Sequence, residues 1–279
     1  MARVVFVHGI GHQYRSRALT KAKWFQALAQ GLDDSHLPPL PESDVDLVHY
    51  GNCFRLAGGK APDDDQWIPP LGPGDLGPGF ELEFLEEIAD GFGAGDESRL
   101  PTKVYVPELV QALVRKLQAS EFLPDAAQRK IVWFVRQVHR YLSEDDLRTR
   151  IQERLDATVT SDTRVIVGHS MGSLVAYEGL MAHPEWGIDT FVTLGSPLGL
   201  RVLAPRLRPP VNDSGNRPSV RRWVNVAAKE DGVAAVKELA PVFGDVEDAV
   251  VTNGRLHAHD IARYLSTYEA GEAITSGLG

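Results

Sequence analysis

Gly168-His169-Ser170-Met171-Gly172 places a serine between two glycines at the spacing G-x-S-x-G. Val165-Ile166-Val167 precedes it and Leu174-Val175-Ala176 follows it, so the serine falls where a strand turns into a helix. So sharp a turn strains the serine backbone and leaves its hydroxyl at the tip. Glycines at 168 and 172 remove the side chains that would clash there. A serine hydroxyl is a weak nucleophile until a base takes its proton. The chemistry this pattern can do is attack of Ser170 Oγ on an ester-like carbonyl, given a histidine and a carboxylate to activate it.

Only His183, His257 and His259 follow Ser170. His183 closes the helix after the serine and should point away from its tip. His257 and His259 fall in the loop before the last helical pattern, where the base belongs in the chain order serine, acid, histidine. Two residues apart in extended chain, they would face the same side, so spacing leaves both open. His259 abuts the pattern Ile261, Tyr264, Leu265, Tyr268 and is favoured on position. The acid is expected in the turn Lys229-Glu230-Asp231-Gly232 after the fifth strand, with Asp231 as the choice and Glu230 in reserve. It would orient the imidazole and stabilise imidazolium. His8-Gly9-Ile10-Gly11 follows the first strand. In a site of this kind an amide of that loop pairs with the amide after the nucleophile, so the N–H groups of Ile10 and Met171 are expected to stabilise the oxyanion. His8 reads as a loop-stabilising residue.

Val7-His8-Gly9-Ile10-Gly11, the Gly168–Gly172 segment and Thr193-Leu194-Gly195-Ser196-Pro197 together resemble bacterial lipases and esterases of the α/β-hydrolase superfamily. Trp223-Val224-Asn225 with Asp231-Gly232-Val233 is similar to that family's acid segment, and His259 with Tyr264-Leu265 to its histidine segment. The family often has proline where this chain has Gly232. The likeness covers residues 3 to 31, 164 to 199 and 222 to 268 loosely and does not reach 52 to 143. It implies a Ser170-His259-Asp231 triad acting through an acyl-enzyme. It also implies a reduced sheet, because the chain starts on what would be the family's third strand.

Elements that could position these residues alternate along the chain, which is the pattern of an α/β fold with a mostly parallel sheet. Strands are expected at Val4–Val7, Val45–Tyr50, Arg164–Val167, Thr190–Leu194 and Arg222–Ala227, with a short last one at Val250 and Val251. Helices are expected over 17–31 (with Leu19, Trp24, Leu28 and Leu32 near one face), 144–157 with Ser143 at its start, 172–182 and 260–269. Residues 51–143 break the rhythm and read as an insertion between core segments 1–50 and 144–279. Gly, Pro and Asp make much of 56–101 loop. Two apolar helical faces follow, one on Leu109, Val110, Leu113, Val114 and Leu117, the other on Ile131, Phe134, Val135, Val138 and Leu142. The insertion leaves the carboxyl end of the second strand, the edge on which Ser170 lies, so it is expected to form a cap over the serine, hinged at 72–77 and 91–95.

The formal charge of −9 argues against a nucleic-acid partner. Cys53 is the single cysteine, which excludes an intrachain disulfide and fits a cytoplasmic setting. No run of about 18 apolar residues suggests a membrane span, and nothing indicates an oligomeric state. Gly72-Pro73-Gly74-Asp75-Leu76-Gly77 matches G-x-G-x-x-G but lacks a preceding strand and a clear following helix. Gly58-Gly59-Lys60 lacks the rest of a phosphate loop, and Asp63-Asp64-Asp65 lacks the alternation of a calcium loop. No cofactor or metal is expected, and the partner is a small acyl or ester substrate. Thioester or amide hydrolysis, acyl transfer, and a non-catalytic binding protein that keeps the fold are the competing readings.

Overall fold

The computed structural model describes residues 2–55, 76–91, 127–211 and 216–279. Six strands form one sheet: β1 (Val4–Val7), β2 (Val45–Val48), β3 (Val165–His169), β4 (Thr190–Leu194), β5 (Arg222–Ala228) and β6 (Glu247–Val251). Their order is β2-β1-β3-β4-β5-β6, and every neighbouring pair is parallel. Val4 aligns with Val45 on one side and Val165 on the other, so β1 is an interior strand, one in from the β2 edge. β1, β3 and β4 are buried throughout; β1 is an unbroken apolar run, β3 opens with Val165-Ile166-Val167, and β4 is rich in β-branched and aromatic residues. β6 is the half-exposed edge, which left only Val250 and Val251 visible as a strand signal.

Parallel neighbours need crossovers, and helices supply them. They are α1 (Arg17–Asp34), α2 (Phe80–Gly91), α3 (Ala127–Ser143), α4 (Asp145–Asp156), α5 (Met171–Ala182), the single turn α6 (Ala240–Phe243), α7 (Ile261–Leu265) and α8 (Tyr268–Ser276). Alternation along each strand divides the core in two. Val4, Phe6, Val167 and Val226 face Trp24 and Leu28 of α1, Tyr264 and Leu265 of α7, and Ile274 of α8. Val5, Val7, Ile166 and Trp223 face the other way, into a cluster with Phe84, Ile88, Phe134, Val138, Ile151 and Tyr177. The inserted helices α2 and α3 therefore share the apolar layer of α4 and α5. Strand order reverses between β1 and β3, and in such sheets ligands bind beyond the carboxyl ends of the strands at that point.

Four expectations need correction. Within 56–101, where much of the chain is expected to be loop and no helix is expected, lies α2, in which Phe84, Leu85 and Ile88 are fully buried; the Gly- and Pro-rich stretch just before it hid this helical spacing. That helix also follows the glycine motif ending at Gly77, whose residues 72–75 lie outside the described ones. Leu19 is 65% exposed, and Thr20 takes its place on the buried face of α1 with Trp24, Leu28, Gly31 and Leu32. Ser143 ends α3 instead of opening α4: its hydroxyl donates to His139 O at 2.7 Å, while Glu144 precedes α4. The expected helix over 260–269 is two, because Thr267 caps α8 by accepting from Ala270 N at 3.3 Å. The face on Leu109–Leu117, most of the proposed hinges, and the segments 58–60 and 63–65 lie outside the described residues. Among the described residues no helix is long and apolar enough to cross a membrane.

Candidate active site

Ser170 joins β3 to α5 with φ 55° and ψ −130°. His36 is the only other described non-glycine residue with positive φ. Such a conformation costs on the order of 1–3 kcal/mol and survives only where the surroundings over-determine it. Here Ser170 N donates to Leu194 O at 3.0 Å, and Ser170 O accepts from Ser173 Oγ at 2.6 Å. A side chain at Gly168 would stand 2.6 Å from Ser173 Cα, and one at Gly172 would stand 2.1 Å from Val7 O and 2.6 Å from His8 O. The turn thus closes only with glycine at both places. A Cβ on Gly9 would meet Ser170 Cβ at 2.8 Å, so the loop after β1 runs directly against the serine. Met171 is the first residue of α5, and its N–H has no acceptor within the helix. Ile10 is half-buried against the cluster that contains Met171.

His8 holds that loop. It is fully buried, and Tyr50 N donates to its Nε2 at 3.1 Å. Its Nδ1 therefore carries the hydrogen and donates to Gly9 O at 2.6 Å. Burial lowers its pKa to about 3, so the ring is neutral. Tyr50 stacks on it at 4.1 Å and donates its hydroxyl to His8 O. His12 packs 4.4 Å from His8 and is likewise held neutral by burial.

On the other side of the serine, the turn after β5 carries Asp231, which is 1% exposed. Its Oδ2 lies 2.7 Å from His259 Nδ1 and accepts from Tyr264 Oη at 2.6 Å. Its Oδ1 accepts from Val233 N at 2.9 Å and Ala234 N at 3.4 Å. Burial alone would raise the Asp231 pKa, but the charge and hydrogen bond of His259, the Tyr264 hydroxyl and Lys237 outweigh it and hold the carboxyl below its usual range. An ionised carboxylate on Nδ1 fixes the tautomer of His259 that leaves Nε2 as acceptor. His169 sits beneath: its ring lies 4.7 Å from that of His259, and its Nε2 donates to His259 O at 3.2 Å. Burial keeps His169 neutral.

Asp231 and His259 are thus brought together. Ser170 Oγ is buried without a hydrogen-bond partner, so the serine and His259 are not joined in this structure. His257 does not compete. Arg255–His257 is a 3-10 turn, not extended chain, so the two histidines do not share a side. The His257 side chain is 54% exposed, 3.9 Å from Asp260. Glu230 makes no bond to His259, and His183 pairs with Glu185 beyond the far end of α5. Among the described residues no His, Cys, Asp and Glu side chains group as a metal-ligand set.

Three contributors escaped sequence reasoning. Gly195 has φ 56°, and a Cβ there would stand 2.8 Å from Asp231 Oδ2 and 3.2 Å from His259 Nδ1. His169 was visible only as the variable position of the serine motif, and Tyr264 as one residue of a helix face and of the segment resembling the family's histidine segment, with no role assigned to either. Comparison with protein-family models, with curated proteins and with solved structures gives no match.

Proposed function

We propose that this protein is a serine hydrolase of the α/β-hydrolase kind that cleaves carboxylic esters through an acyl-enzyme on Ser170. Ser170 Oγ attacks the carbonyl, His259 Nε2 takes its proton and returns it to the leaving alcohol, and Asp231 steadies the imidazolium. The amides of Ile10 and Met171 receive the oxyanion. Water then attacks the acyl-serine with His259 again as base. The observation that carries this reading is the strained Ser170 backbone between β3 and α5, a conformation with no evident value to packing alone. The step needs Ser170 Oγ to turn toward His259, and catalytic hydrogen bonds often close only when substrate is bound. The six-stranded parallel sheet agrees with the reduced sheet that the family resemblance implies.

The inserted helices fit a covering role. Glu87 of α2 accepts from Val202 N at 3.2 Å, and Arg206 lies over Phe80 at 4.6 Å. Both contacts tie the insertion to the chain after β4, on the edge where Ser170 lies.

A fluorophosphonate probe should label Ser170 in the folded protein, located by mass spectrometry. A panel of oxygen esters, thioesters and amides should show burst kinetics on the oxygen esters. Absence of labelling would remove the hydrolase reading, and a preference for thioesters or amides would move the substrate class.

A further inference from the structure

We infer that Tyr264 is a positioning residue of this site: its hydroxyl shares Asp231 Oδ2 with His259 Nδ1, fixing the carboxylate and setting how strongly it draws on the imidazole. The inference rests on the hydrolase reading above. Tyr264 lies on α7 and is fully buried. Its hydroxyl oxygen accepts from Ala228 N, the last residue of β5, at 2.9 Å and donates to Asp231 Oδ2 at 2.6 Å. A strand amide thus feeds a hydroxyl that feeds the carboxylate, and each bond of such a chain polarises the next. Burial and the Asp231 charge hold the hydroxyl pKa well above its ordinary value, so it stays a donor across the working range.

Two donors on one oxygen compete for the same negative charge. Tyr264 therefore weakens the hold of Asp231 on imidazolium, and removing its hydroxyl should raise the pKa of His259. The other titratable groups facing the pair are Lys237 and Glu230 from the chain around Asp231, and His169 from the end of β3.

The test uses the full chain. Tyr264→Phe keeps the ring and removes both hydrogen bonds. The kcat on a small ester should fall about tenfold, the scale seen when outer partners of functional histidines are removed, with KM within about twofold. The acid limb of the pH profile should move up by about half a unit, and the His259 titration read by NMR should move with it. A 3-fluorotyrosine at 264, a stronger donor, should shift both the opposite way. That second protein also decides the matter if Tyr264→Phe does not fold. An unchanged His259 titration and acid limb in both would show that Tyr264 only packs. If fluorophosphonate leaves wild-type Ser170 unlabelled, the hydrolase reading falls, while the NMR titration still tests whether Tyr264 acts on His259 through Asp231.

Discussion

The two halves of the site are held by different means. Ser170 is placed by backbone: a strand, a helix and two glycines leave its main chain one path. Asp231 and His259 sit on loops and are placed largely by side chains, Tyr264 Oη and His169 Nε2, while the backbone amides of Val233 and Ala234 hold the other carboxylate oxygen. Backbone placement writes itself into sequence as a short motif with fixed spacing. Side-chain placement draws on residues as far apart as β3 and α7 and leaves no local pattern.

Substitutions can break this pairing of halves, and they rank by how directly they touch the reacting atoms. Ser170→Ala and His259→Ala should each cost up to about 10⁶-fold in kcat, and the double variant should be no worse than either, because the two act as a unit. Additive losses, measured by steady-state kinetics on one ester, would separate what is read here as one device. Asp231→Asn should cost up to about 10⁴-fold, because Nδ1 would lose its acceptor and the histidine its tautomer. Should Glu230→Gln prove the damaging change instead, the acid is misassigned.

Acid should next expose how both halves are supported. His8 has its folded pKa lowered to about 3, and His12 and His169 are shifted the same way by burial. The unfolded chain takes up protons first, below about pH 6.5, so their contribution is complete above that pH and is lost as pH falls toward 3. Asp231, also lowered, adds its loss only at the acid end. Thermal melts between pH 7.5 and 4 should show a falling Tm; a flat series would mean these rings are not held neutral. The smallest effect belongs to His257→Ala, which should keep kcat within about twofold, since its ring faces solvent.

The sheet was legible because strands buried on both faces are rich in apolar and β-branched residues, and β1, β3 and β4 are. The serine and its glycines were legible because only one backbone geometry needs them. The choice of His259 over His257 rested on position and on the resemblance of its segment to the family's; the 3-10 turn that separates their directions has no signal in Arg255-Leu256-His257. Helix α2 was missed because composition counted over a long window outweighed the spacing of Phe80, Phe84 and Ile88. Tyr264 was read as part of a helix pattern beside His259; it is buried in the core, and the bonds of its hydroxyl are something helical periodicity does not register.

Gly31 carries that lesson to the back of the molecule. A Cβ there would lie 2.6 Å from Ser266 Cα and 2.7 Å from Leu265 O, backbone atoms that cannot swing aside. The chain it would displace is the end of α7, one residue beyond Tyr264. Random mutagenesis of α1 should therefore meet one position where even alanine is refused, and where the survivors are slow as well as unstable. In a map of tolerated variation, Gly31 would cluster with the residues around Ser170, although it touches none of them.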